Sequence, residues 1–505
     1  MSISIRLNLA ASAAGQFYSA LVGIIMLPVF YSEQWLGPAS VGVVGFYTLA
    51  MFWFGLLDLG LTPTLHRETT RFLAGKSSAD HYFSLIMPML SFFLVIALLS
   101  GWLFVSQAPV IADHWLINNG LQHDLLTEVL RYIGLVLFMR LLSGVLRGLV
   151  GGAECILWLN LTNCLLMTIR FVLVLPAMYW FGISLITFFA VQLFAAVVEL
   201  TLLSYKGLQI LKPVYRTWRF SWEPFRQSLT FSMSAALLSL LGVMLTQLDK
   251  LLLSGMLPLS EYAEVTLAVS LSSGILLVGT VFGAVLQPRL TALYSHTNMS
   301  GWAPLYRSAT QWITVLVSSA VMVIVFAYPQ VLLAWTGQLI NHSLLARLLP
   351  WYAIGCALMV LNGIAYYLQF AAGRLRLHLT SQCIVVLIWA LYLYFGLAVW
   401  GAVGAAIAWC CIQLVLLLIY VYKVHQSYLP GQHWRWLSQD VLQIVVPVAL
   451  FNYLFSINIA TPSTRFAAIA QVCGLIIGSI AIAVFSSSDL RHRLNLKKRI
   501  GVEQD

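Results

Sequence analysis

Apolar stretches of about twenty residues recur along the whole chain, each long enough to cross roughly 30 Å of hydrocarbon, with short polar breaks between them. The pattern predicts fourteen helices, near residues 8–30, 39–62, 83–106, 127–149, 157–179, 183–205, 228–256, 262–288, 308–334, 347–371, 380–398, 401–422, 441–460 and 466–486. In hydrocarbon the backbone must satisfy its own hydrogen bonds, which favours helices. Little more than Trp400-Gly401 separates the eleventh from the twelfth. No stretch remains for a soluble domain, so the expected fold class is an all-α polytopic membrane protein.

The polar breaks alternate in character. Loops 63–82, 150–156, 206–227, 289–307, 372–379, 423–440 and the tail carry Lys and Arg, and the loops between them carry almost none. Twenty-one of the 27 Lys and Arg fall on one side, Arg347 and Arg465 on the other, and Arg131, Arg140, Arg170 and Lys250 inside the spans. Basic loops resist translocation, which places both termini in the cytoplasm.

Composition agrees, with 61% apolar and 9% charged residues and a mean hydropathy of +0.90. The net charge of +10 is spread over the rims, where it suits anionic lipid headgroups rather than nucleic acid. The seven cysteines lie in or beside spans without a CxxC pair, so neither disulfides nor a metal site is expected. The apolar run from Leu7 continues through Pro28, too long for a cleavable signal.

The long basic loop 206–227 divides the chain into an N-lobe, 1–205, with helices 1–6, and a C-lobe, 228–422, with helices 7–12. Helices 13–14 follow in 423–486, then a basic tail, 487–505. Residues 9–65 and 229–290 share a plan, once a gap of four is allowed: a helix rich in small residues, a short outer turn, a second helix, and Pro-X-Leu at its inner end. Two pseudo-repeated six-helix lobes around a central cavity, plus two C-terminal helices, are therefore expected, since transporters place substrate between repeats. GxxxG pairs at Gly144/Gly148, Gly148/Gly152, Gly279/Gly283 and Gly474/Gly478 predict close helix packing.

Charges left in hydrocarbon should be paired, snorkelling or facing water. Arg131 is three residues from Glu128, and a local pair with snorkelling explains it. Arg140 has no acid three or four positions away, and Arg147 falls on its face, so Arg140, Gly144 and Arg147 read as a cavity wall or, alternatively, as one side of an interhelical ion pair. Arg170 shares a polar stripe with Asn160 and Asn163 and reads the same way. Lys250 ends the stripe Ser232, Ser239, Thr246 on helix 7, and Asp249 beside it points about 100° away, free to pair with an arginine or not. Helix 1 carries Asn8, Ser12, Gln16 and Ser19 on one face. On helix 6, Glu199 shares a face with Gln192 and reads as a counter-ion, a proton site or, most simply, a near-rim residue. The balance is cationic, which suits an anionic substrate, and diphosphate matches arginine forks.

No enzyme constellation accompanies these charges. The 17 Asp and Glu form no DxD or ExD, and HExxH is absent. Gly75-Lys76-Ser77 lacks the remainder of a phosphate-binding loop. No cofactor is expected. Energy would come from an H+ or Na+ gradient, the membrane potential or the substrate's own gradient, with Asp249 and Glu199 as coupling or counter-ion candidates.

The first helix with Asn8 and Gly15, the second ending Gly55-Leu-Leu-Asp58-Leu-Gly60-Leu before Arg67-Glu68, and Asp249-Lys250 ahead of Tyr262-Ala263 resemble the polysaccharide transporter family of the MOP flippase superfamily, specifically Wzx-type repeat-unit flippases. The resemblance covers most of the chain and implies alternating access between two lobes of a bacterial inner-membrane protein. Its substrate would be an undecaprenyl-diphosphate-linked oligosaccharide, an O-antigen or other surface polysaccharide unit, with a polymerase and chain-length regulator as candidate partners. Arg140, Arg170 and Lys250 would then attract diphosphate or acidic sugar along a path flanked by Arg147, and Asn8, Gln16 and Asn163 would bond glycan. Asp58 is assigned to a salt bridge with Arg67 or Arg71. Two alternatives stand beside this reading. A multidrug exporter of the same superfamily needs acids in the cavity, for which only Asp249 and Glu199 qualify. A membrane polymerase or glycosyltransferase would have to use loop 107–126, which is short and lacks Arg.

Overall fold

A computed structural model describes residues 2–212, 222–295, 301–338 and 343–492. Among them, thirteen helical stretches are long and apolar enough to cross a membrane. One of these, Arg376–Tyr428, has 53 residues, about 80 Å of helix and far more than one crossing requires. It is broken at Gly401, where φ is +59° and ψ −160°, a conformation open to glycine and strained for other residues. The break falls at Trp400-Gly401, giving fourteen spans in an all-helical polytopic fold.

The chain forms two compact units, Met1–Thr266 and Leu267–Asp505. In the first, α1 (Ser2–Tyr31) and α2 (Gly37–Gly55) are followed by a 3-10 turn and α3 (Leu61–Leu73). Then come α4 (Ala79–Ser106), α5 (His123–Gly152), α6 (Ile156–Phe181), α7 (Leu185–Leu211) and α8 (Trp222–Met256). The boundary between units falls within α9 (Leu259–Ser273), later than the basic loop 206–227. The reason is that α8 packs on α2, α3 and α4.

Small residues set the close contacts of this unit, as expected where lipid supplies no hydrophobic drive between helices. The short helix α3 lies along α5, so that a Cβ at Gly148 would sit 2.7 Å from the Thr62 carbonyl and one at Gly152 2.4 Å from that of His66. Around this seam Leu61, Leu65, Phe83, Ile86, Met89, Leu141 and Leu149 form a continuous buried core. Gly152→Val is therefore expected to destabilise the protein by about 1–3 kcal/mol through overpacking. Gly474→Ala, with nothing within 4 Å of the new Cβ, is expected to be neutral in the same melting experiment. Of the Gly474/Gly478 pair, only Gly478 meets a neighbour, Phe451 at 2.8 Å.

The loop before α5 is fastened to the α8–α9 turn. Trp115 Nε1 donates to Ser254 Oγ at 3.0 Å, Leu259 N donates to the Ile117 carbonyl at 3.0 Å, and Asn119 donates to Ser260 at 3.1 Å. Asp113 and His123 meet at 3.3 Å, half-exposed. These contacts give loop 107–126 a structural task.

In the second unit, α10 (Leu276–Ser295) precedes α11 (Trp302–Phe326), α12 (Tyr328–Thr336), α13 (Leu344–Ala371), α14 (Arg376–Tyr428), α15 (His433–Asn458) and α16 (Arg465–Ser486). Buried Asp440 takes two bonds from Arg307, at 2.7 and 3.0 Å, and one from Gln311. Nearby, Tyr306 OH meets His425 Nε2 at 2.8 Å, and the Nδ1 atoms of His425 and His433 meet at 3.0 Å. Arg465 donates to the Ala334 and Trp335 carbonyls, capping α12 where its dipole is negative.

Candidate functional site

Two arginines of the first unit converge on Glu199. This carboxylate projects from α7, is 1% exposed, and bridges two guanidinium groups. Oε1 accepts from Arg147 Nε at 2.8 Å and Nη2 at 2.5 Å, and Oε2 accepts from Arg170 Nη2. Arg147 Nη1 also donates to Asn163 Oδ1 at 2.6 Å. A carboxylate of this burial requires such compensation, because an unpaired charge in hydrocarbon is costly.

Local backbone chemistry explains how α6 delivers Arg170. Pro176 offers no N–H to the Val172 carbonyl and crowds it, and directly before it the helix widens into a π turn over Thr168–Val172. Leu173 N bonds Thr168 O, and Gln192 Nε2 from α7 donates to the Arg170 carbonyl at 3.0 Å. Arg170 Nε is buried and finds no acceptor among the described residues.

Beside this bridge is a cavity of about 380 Å³. Arg140, Gly144 and Arg147 line one side and Glu199, Asp58 and Thr62 line others, with Met51, Phe54, Phe93 and Leu137 as apolar walls. Arg140 is half-buried and makes no ion pair or hydrogen bond among the described residues. Asp58 reaches the cavity because the chain turns left-handed at Leu59 (φ +49°) and Gly60 (φ +73°), ending α2. Its Oδ1 accepts from Thr62 N at 3.0 Å and Thr62 Oγ1 at 2.7 Å, satisfying the start of α3. Asp58 thus bonds Thr62, and it is Glu68 that pairs with Arg71 at 3.2 Å and Arg67 at 3.7 Å. The salt bridge assigned to Asp58 from the sequence is corrected accordingly.

Lys250 Nζ meets Asp249 Oδ2 at 3.0 Å, both buried. The 100° between adjacent helical positions does not separate them, since the long lysine stem swings back. Arg131 is exposed and makes no pair with Glu128 among the described residues. Arg170, 3% exposed, stands behind the cavity and not in its lining. Asn163 serves Arg147, and Gln16 is exposed on α1. The side chain of Asn8 lies outside the described residues. Glu199 is buried where Arg147 and Arg170 meet, in the role of a counter-ion. Its seven-residue spacing from Gln192 was the sequence signal for a shared inward face.

Four groups of opposite sign thus border one space: Arg140 and Arg147 against Asp58 and Glu199. Asp58 and Glu199 already hold internal donors, whereas Arg140 donates no hydrogen bond among the described residues. Such a site can hold an anion in a fork of guanidinium N–H groups.

The fold resembles solved membrane transporters. The lipid II flippase MurJ in an inward closed conformation matches with TM-score 0.72 at 14% identity, over 96% of this chain and 99% of that one. An inward-facing multidrug resistance MATE family transporter of the MOP superfamily matches with TM-score 0.64 at 15% identity, over 82% and 94%. A Vibrio cholerae MATE transporter gives 0.58 at 12% identity, over 84% and 97%. No curated protein matches the chain in sequence. The family model described as "Polysaccharide biosynthesis protein" matches residues 5–294, more than half of the chain. With fourteen spans in this fold and that match over more than half of its length, the chain belongs to the polysaccharide biosynthesis protein family.

Proposed function

We propose that the protein is a flippase that moves an undecaprenyl-diphosphate-linked oligosaccharide, an O-antigen or similar repeat unit, from the cytoplasmic to the periplasmic leaflet of a bacterial inner membrane. Both termini lie in the cytoplasm, as the Lys and Arg distribution favours. The observation that carries the reading is Arg140: a cavity-lining guanidinium with no hydrogen bond or ion pair among the described residues, on the same helical face as Arg147, in a family of polysaccharide biosynthesis proteins. Diphosphate engages this fork, the glycan occupies the polar cavity, and the prenyl chain stays in lipid through a lateral opening. Lobes 1–205 and 228–422 alternate access around the substrate. A polymerase and chain-length regulator receive the product.

A second reading has one specific support. Asp58 lines the same cavity, so carboxylates are available there for a cationic substrate, as a multidrug exporter requires. Reconstitution into proteoliposomes separates the two, by following a fluorescent undecaprenyl-diphosphate oligosaccharide beside a cationic dye. Translocation of the lipid-linked glycan is the expected result, and movement of the dye alone overturns the flippase reading.

A further inference from the structure

Glu199 presents its two oxygens to arginines in unlike surroundings. Arg170, on Oε2, is 3% exposed, whereas the side chain of Arg147, on Oε1, is 27% exposed and borders the cavity. A guanidinium has five N–H donors, and Arg147 commits three of them to Glu199 and Asn163. Arg140 stands seven residues earlier on α5, about 10 Å along the axis and within about 20° of the same face. Gly144 lies between them. A Cβ there would meet nothing nearer than Thr62 Oγ1 at 3.9 Å, so the surface between the two arginines is open.

Building on the flippase reading, we propose that Gly144 floors a phosphate seat between Arg140 and Arg147, and that Glu199 is its internal competitor. With the seat empty, Glu199 and Asn163 hold Arg147. A diphosphate draws Arg147 off Oε1, while Arg170 keeps Glu199 in place through Oε2. The charge of Glu199 is never left bare, and Arg147 always has an anion to meet. The exchange selects for charge, because a singly charged headgroup competes with the carboxylate on equal terms and a diphosphate exceeds it. It also weakens the bound state, which a transporter needs in order to release its load. Asp58, occupied by Thr62, takes no part in the exchange.

Inorganic pyrophosphate binding to the purified full-length protein, measured by calorimetry, tests the assignment. Glu199→Gln holds Arg147 through a neutral amide and is expected to bind pyrophosphate about tenfold tighter, about 1.4 kcal/mol. Gly144→Val fills the seat and is expected to lose binding. Equal or weaker binding by folded Glu199→Gln, or undiminished binding by Gly144→Val, overturns the proposal. Should Glu199→Gln fail to fold, Asn163→Ala removes the other partner of Arg147 and is expected to tighten binding about threefold, about 0.7 kcal/mol; no gain overturns it equally. Binding changes of these signs in a protein that moves no lipid-linked glycan would leave the seat standing and remove the flippase reading. Glycan transport with binding indifferent to both substitutions would do the reverse.

Discussion

Arg140→Ala is expected to lose roughly a hundredfold in translocation of lipid-linked oligosaccharide while inserting, folding and melting like the parent. The two halves of this result have separate causes. Arg140 has no ion pair or hydrogen bond among the described residues, so truncating it orphans no carboxylate and leaves the packing of α5 on α7 intact. In the loaded state it would supply the strongest uncommitted donors in the cavity, and charge-assisted bonds of this kind lost together are worth about 2–3 kcal/mol, or roughly a hundredfold. Arg140→Lys keeps the charge without the planar fork and should fall between the two. The check is glycan translocation in proteoliposomes alongside a melting curve of the same preparation. A transport-competent Arg140→Ala would remove the cavity from the mechanism.

Glu199→Ala should behave in the opposite manner, with a stability loss of about 3–5 kcal/mol that lowers both membrane level and melting temperature. Without Glu199, Arg170 is a buried cation next to Arg147, and α5, α6 and α7 lose the group that joins them. Arg170→Met alone costs less, because Glu199 retains its two bonds from Arg147. Combining Arg170→Met with Glu199→Leu should recover much of the loss. The double variant removes both buried charges, and Arg147 can turn towards the cavity it already borders. Melting temperatures of the three variants form a thermodynamic cycle. A double variant as unstable as the sum of its parts would show that the two side chains do not act on each other.

Much of the fold was legible because hydrocarbon thickness imposes a length on every span and basic residues mark alternate loops. The face shared by Arg140, Gly144 and Arg147 was legible for a similar reason, since helical periodicity is a property of one segment. What the sequence left open depended on opposing segments. The partners of Glu199 come from α5 and α6, at separations of 52 and 29 residues, so its ion pairs had no local signal. Asp58 was drawn to the nearby arginines in sequence, and only the left-handed pair Leu59-Gly60 turns α3 so that Thr62 meets it first. Lys250 and Asp249 pair from adjacent positions of one helix, where the 100° between neighbouring side chains gives no sign of a contact. Pro176 was a usable sign of the π turn at Arg170, read in the sequence only as part of a span.

The break at Gly401 settles a matter of parity. A chain that crosses a membrane returns to its starting face only after an even number of passages, and this glycine is what makes two passages of the 53 residues around it. Were the helix to run straight, every later segment would exchange faces. The loop carrying Lys423 and Arg435 would leave the side that bears Arg374 and Arg376, and the basic C-terminus would follow it. One left-handed residue, with no charge and no side chain, thus lets the last hundred residues follow the alternation of basic and uncharged loops expected from the first four hundred.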